Sequence, residues 1–403
     1  MCLTMLKNKW FYLALLLYCC AVEAKPYIPS DKNEVLEKLP INTDVSSSNY
    51  KALRAQLSAN PKNVDVAVKL ARLYIDRARD EGDPRYLGYA QAALAPWWQM
   101  AKPPIDVIIL RATLYQSTHQ FDRSLKDLDT ALKLNPNNAQ AWITRATILQ
   151  VQGKYEQALI SCEHLYALAP SLITLTCISN VRNLNGDALK SYQELKQGYQ
   201  LAADKNSAVQ LNPAIQLNPA IQVWVLTLLA EMAVRLDDII AAEQTFTQAI
   251  NIEKPDSYLL GAYADFLLDQ HRPQQVIKLL KDKTSNDALL LRYAEALNNA
   301  HSADALLQIQ SLQQRFAAAM LRADTVHQRE QSRFELRLMH NPAKALEIAK
   351  QNWLVQKEPA DARVFLEAAI AANDKKAVAT MVNWLETNHL EDVTLQTIIK
   401  KYD

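Results

Sequence analysis

Two consecutive segments of this 403-residue chain align without a gap at a spacing of 34 residues. Residues 105–138 read IDVIILRATLYQSTHQFDRSLKDLDTALKLNPNN, and residues 139–172 read AQAWITRATILQVQGKYEQALISCEHLYALAPSL. Ile108 matches Trp142, Arg111 matches Arg145, Ala112 matches Ala146, Phe121 matches Tyr155 and Pro136 matches Pro170. A repeat of this length fits one helix–turn–helix unit, which cannot bury its own apolar face and must stack on neighbours. Within the second unit, small Ala146 and Ala158 let two helices approach, while Trp142, Leu149 and Tyr155 fill the space around that contact. Gly153 suits the left-handed position just past a helix, and Pro170 stops the second helix because it lacks a donor and clashes with the preceding turn. Glycine supports the same reading. Only 6 residues are glycine, where about 7% is usual, and tight hairpins and phosphate-cradling loops need more. The chain is therefore read as all-α.

The period resumes at residues 223–256, with Leu229, Ala230, Ala233, Ala242, Phe246 and Ala249 in the same offsets, and continues through residues 257–290. Beyond these lie degenerate pairs and a short closing helix near Val393–Lys400. Between the two regular blocks stands QLNPAIQLNPAIQ, residues 210–222, a hexapeptide written twice. One Leu-Asn-Pro copy resembles Leu134-Asn135-Pro136 at a unit junction, so the other reads as a local duplication that lengthens a loop. The expected organisation is an N-terminal lead at 25–48, a first stack at 49–204, an inter-stack segment at 205–222, and a second stack with its cap at 223–403.

The second unit's Trp142, Ala146, Leu149, Gly153, Tyr155, Ala158 and Pro170 give the chain its resemblance to the tetratricopeptide repeat family, in particular to exported bacterial members. That resemblance implies a right-handed superhelical solenoid of antiparallel helix pairs, with degenerate C-terminal repeats. It also implies a concave groove, lined by the first helix of each pair, that holds a peptide or partner segment. Carrying the groove offsets onto this sequence gives Ile109, Thr113, Gln116, Ile143, Thr147, Gln150, Trp224, Glu231, Tyr258, Asp265, Glu295 and Asn298 as candidate partner-binding residues. Family members that clamp a terminal carboxylate use Lys and Asn at such offsets. The two most regular units lack that Lys, so this activity is not expected here.

The first 24 residues read as a secretory signal peptide. Lys7 and Lys9 precede a short apolar run from Trp10 to Val22, and Val22-Glu23-Ala24 offers a cleavage site after Ala24. The run is shorter than the roughly 20 residues of a membrane anchor, so no stable span is expected after cleavage. Removing the leader takes the formal net charge from +1 to zero, which gives no basic footprint for nucleic acid. Only Cys162 and Cys177 lie outside the leader. They flank the reversal at Pro170 and suit either a disulfide or two buried thiols. No phosphate-binding loop, nucleophile elbow, HExxH or CxxC motif is present. The seven histidines are scattered, with His119 and His271 at turns between helices.

Resemblance, leader and missing motifs together imply an exported, non-enzymatic scaffold, periplasmic or secreted. It would capture a protein or peptide partner non-covalently, without cofactor or metal. Two other readings stay open: an accessory subunit of an envelope polysaccharide-synthesis, export or secretion complex, and a hydrolase whose site carries no short motif.

Overall fold

A computed structural model describes residues 45–204, 218–322 and 326–402. The signal peptide, most of the 25–48 lead and the first QLNPAI copy lie outside the described residues. Among the described residues there are twenty-one α-helices, one 3-10 turn and no strand. Helix α1 (Val45–Ala59) begins inside the stretch 25–48. Nine pairs follow: α2 (Val64–Glu81) with α3 (Arg85–Ala93) and the short α4 (Ala95–Trp98), α5 (Ile105–Ser117) with α6 (Phe121–Leu134), and α7 (Ala139–Val151) with α8 (Tyr155–Glu163), which continues as a 3-10 turn (His164–Ala167). Next come α9 (Ser171–Arg182) with α10 (Ala188–Ala203), α11 (Pro219–Arg235) with α12 (Ile239–Ile250), and α13 (Ser257–Asp269) with α14 (Pro273–Leu280). The last three pairs are α15 (Asp287–Asn299) with α16 (Ala305–Leu321), α17 (Gln328–Arg337) with α18 (Pro342–Trp353), and α19 (Pro359–Ala371) with α20 (Lys375–Thr387), before α21 (Val393–Tyr402). The fold is an all-α solenoid of antiparallel helix pairs. No described helix is long and apolar enough to cross a membrane.

Local chemistry sets the helix ends. Asn63, Asn138, Asn218, Asp238, Asp256, Asn286, Asn341 and Asp374 each accept a backbone N–H of the first turn they cap, which satisfies a donor the helix cannot. Pro219 opens α11 directly after its Asn218 cap, so the second Asn-Pro of the duplicated stretch is a helix start. At the other end, the first helix of every pair closes on a residue with positive φ: Gly82, His119, Gly153, Gly186, Asp237, His271, His301, His340 and Asn373. At His119, Gly153, Asp237, His271, His301 and Asn373 the accompanying hydrogen bonds are of the Schellman type. At Gly153, for example, Lys154 N–H reaches Leu149 O and Gly153 N–H reaches Gln150 O, both at 2.8 Å. The chain thus fills with histidine, asparagine or aspartate a position that usually takes glycine.

Packing follows the small-and-large pattern of the repeats. Ala146 and Ala158 are fully buried between their helices, with Leu149 and Tyr155 beside them. One apolar cluster runs from Leu172 and Leu195 through Val223 and Phe246 to Leu289, so α9 and α10 stack on α11 across the 205–217 stretch. Full burial of a side chain such as Phe246 contributes about 2–3 kcal/mol.

Residues Tyr50–Asp403 form one compact unit, and the array turns back on itself within it. Ser257 Oγ donates to Arg79 O at 3.2 Å, and Asn286, the cap of α15, covers Gly82 so closely that a Cβ there would strike its amide. Lys357 N–H donates to Val151 O at 2.8 Å. A single apolar cluster joins α7, α8 and α9 to α18, α19, α20 and α21. Cys162 of α8 and Cys177 of α9 lie within it, joined in a disulfide with a Cα–Cα separation of 5.6 Å.

Candidate functional site

The first helices of the later pairs, α11, α13, α15, α17 and α19, share an inner wall built from charged side chains. Asp265 of α13 takes Arg292 of α15 at 2.6 Å and Arg333 of α17 at 2.7 Å. Arg333 also donates twice to Glu295 at 2.7 Å, and Arg337 bridges Glu295 and Glu367. Arg363 of α19 reaches Asp269 of α13 at 2.6 Å across a separation of 94 residues. Arg329 meets Glu330, Glu358 and Asp361. These contacts close the wall on itself at the level of α13, α17 and α19.

Burial raises the cost of charge here, and the arginines offset it. Desolvation pushes the Asp265 carboxyl up, but Arg292 and Arg333 outweigh it and hold the group well below the usual range. Glu330 behaves likewise: burial opposes ionisation, yet Arg329 and Arg292 bring it down to about 2. Asp361 differs. Desolvation is only partly offset by Arg329, and the group sits at about 6. Glu231 of α11 is also raised, pushed up to about 7 by burial against the opposing pull of Arg235 and the Tyr258 hydroxyl. That hydroxyl donates to Glu231 Oε1 at 2.9 Å.

Four of the residues named from sequence, Glu231, Tyr258, Asp265 and Glu295, meet on this wall. The others lie elsewhere. Ile109 is 5% exposed and packs with Ile108 and Ala131. Thr113 and Thr147 return their hydroxyls to the carbonyls of Ile109 and Ile143, and Thr147 is exposed while Gln116 is half-buried. Gln150 accepts from Asn180 of the next unit at 3.0 Å. Ile143 and Trp224 are half-buried against apolar clusters, and Asn298 is exposed near the end of α15. Sequence reasoning missed Arg329, Arg333 and Arg337, although their spacing of four residues puts all three on one face of α17. Among the described residues, no group of three His, Cys, Asp or Glu side chains could hold a metal ion. Ion pairs this fully matched hold helices together, and they leave the exposed Tyr258 ring, at 56%, as the wall's open feature.

The tetratricopeptide repeat family matches residues 128–160, the stretch that joins the two best-aligned units. A DnaJ homolog subfamily C member 7 homolog of Schizosaccharomyces pombe is 29% identical over 108 residues, which is 26% of this chain and 23% of that protein. Among solved structures, yeast Tom70 is 14% identical with a TM-score of 0.35, covering 84% of this chain and 62% of its own. A tetratricopeptide repeat protein from Parabacteroides merdae is 14% identical with a TM-score of 0.33, covering 66% of this chain and 98% of its own. The chain thus spans about a quarter of the length of its curated relative and less than two thirds of Tom70.

Proposed function

We propose that this tetratricopeptide repeat chain is an exported scaffold that captures a protein or peptide segment on the inner faces of its first helices, without catalysis. The family's repeats bind protein partners. The observation that carries this reading is Tyr258, a large aromatic left 56% exposed on a wall whose acids, Glu231 apart, are ion-paired. Aromatic side chains in such positions dominate interface energetics. Export rests on the leader sequence, and the periplasm or the extracellular space is the compartment it implies.

The test combines both parts. Complexes crosslinked in intact cells are purified through a C-terminal tag, and the chain's N-terminus is determined by mass spectrometry. The expected result is a chain that begins at Lys25 and a partner whose recovery falls in Tyr258→Ala but not in Ile160→Ala, a 50% exposed position on the second helix α8. A chain that retains its first 24 residues, or equal recovery from both variants, contradicts the proposal.

A further inference from the structure

Glu231 is an exception on the inner wall. Asp265, Asp269, Glu295, Glu330, Glu358, Asp361 and Glu367 each lie within 4.0 Å of an arginine nitrogen. Among the described residues no ion pair reaches Glu231, whose hydrogen bond comes from the Tyr258 hydroxyl at 2.9 Å. The cation nearest in sequence, Arg235 one helical turn on, makes no ion pair with Glu231 and donates to Asn183 Oδ1. Arg329, the cation on α17, is engaged by Glu330, Glu358 and Asp361. A carboxyl with no ion pair at contact distance therefore stands beside an exposed aromatic residue. An incoming ammonium or guanidinium could face the ring and pair with the carboxylate, both interactions strengthened by the partly dry surroundings.

We propose that Glu231 and Tyr258 form the recognition point for a basic side chain, Lys or Arg, carried by the peptide segment of a partner. This rests on the scaffold reading above and deepens it by giving the partner's charge. A structural role explains the pair less well, since burying an unpaired carboxylate opposes folding. Binding is expected to depend on pH. The free carboxyl sits at about 7, with Tyr258 of α13, Arg235 of its own helix, Arg329 of α17 and Glu358 at the start of α19 as the groups that face it. A cation favours the ionised form, so affinity should rise by about tenfold between pH 6 and pH 8 as the ionised fraction rises.

The experiment uses the mature chain, residues 25–403, against a displayed library of random dodecapeptides. Peptides enriched at pH 8 should carry Lys or Arg. Synthetic copies should bind about tenfold or more weakly to Glu231→Gln, and that variant should lose the rise between pH 6 and pH 8. A melting curve of Glu231→Gln that overlays the wild type at pH 4 secures its fold. Enriched peptides without basic residues, enrichment of acidic ones, or unchanged affinity in Glu231→Gln would overturn the inference and leave the scaffold reading standing. A library from which nothing is enriched would count against both.

Discussion

At the scale of the residue, the left-handed turn positions and one unpaired acid carry the sharpest consequences. His301 takes φ +53° at the close of α15, a conformation that costs an L-residue about 1–2 kcal/mol and that glycine adopts freely. His301→Gly should therefore keep or raise the urea midpoint. His301→Val, whose branched Cβ fits that region poorly, should lower stability by about 1–2 kcal/mol. Glu231 gives a prediction with a definite sign. Its folded-state value of about 7 lies above that of an unfolded glutamate, so its contribution to stability is fully present below about pH 4.5 and is lost as pH rises through 7. Glu231→Gln stays neutral throughout. It should match the wild type at pH 4 and exceed it at pH 8.5 by on the order of 2 kcal/mol in denaturant titrations.

At the scale of the element, the charged wall and the disulfide hold helices that apolar stacking alone brings together. Arg333 joins α17 to both α13 and α15. Its removal leaves buried acid short of charge, so Arg333→Ala should cost about 3 kcal/mol. By contrast, Arg72→Ala, which breaks an exposed pair with Asp106, should cost less than about 1 kcal/mol. The bond between Cys162 and Cys177 closes a separation of 15 residues. Replacing both with alanine should lower stability by about 3 kcal/mol, and the unreduced, unfolded mature chain should show no free thiol. The helix pairs were legible in the sequence because stacking needs alanine at the close contacts and large side chains around them, and both recur at fixed offsets. The partners of Arg333 were not. They lie 38 and 68 residues away, and a polar helix such as QREQSRFELR looks solvated until its neighbours are known. Histidine at a left-handed turn was hidden for a simpler reason, since the position is recognised from sequence by glycine.

At the scale of the whole molecule, the return of later pairs onto earlier ones makes an interior out of what a looser solenoid leaves as an open groove. Contacts from Arg79 to Ser257 and from Val151 to Lys357 bring widely separated repeats together, and the inner arginines tie the later first helices to one another. The proposed capture on the inner face would use what remains uncovered, chiefly Tyr258 with Glu231 beside it. A photo-crosslinking amino acid placed at position 258, and separately at Tyr166, which is 71% exposed on the 3-10 turn after α8, tests this most directly in intact cells. The expected result is a discrete adduct from position 258 that is absent from position 166. No adduct from 258, or the same adducts from both positions, would contradict it.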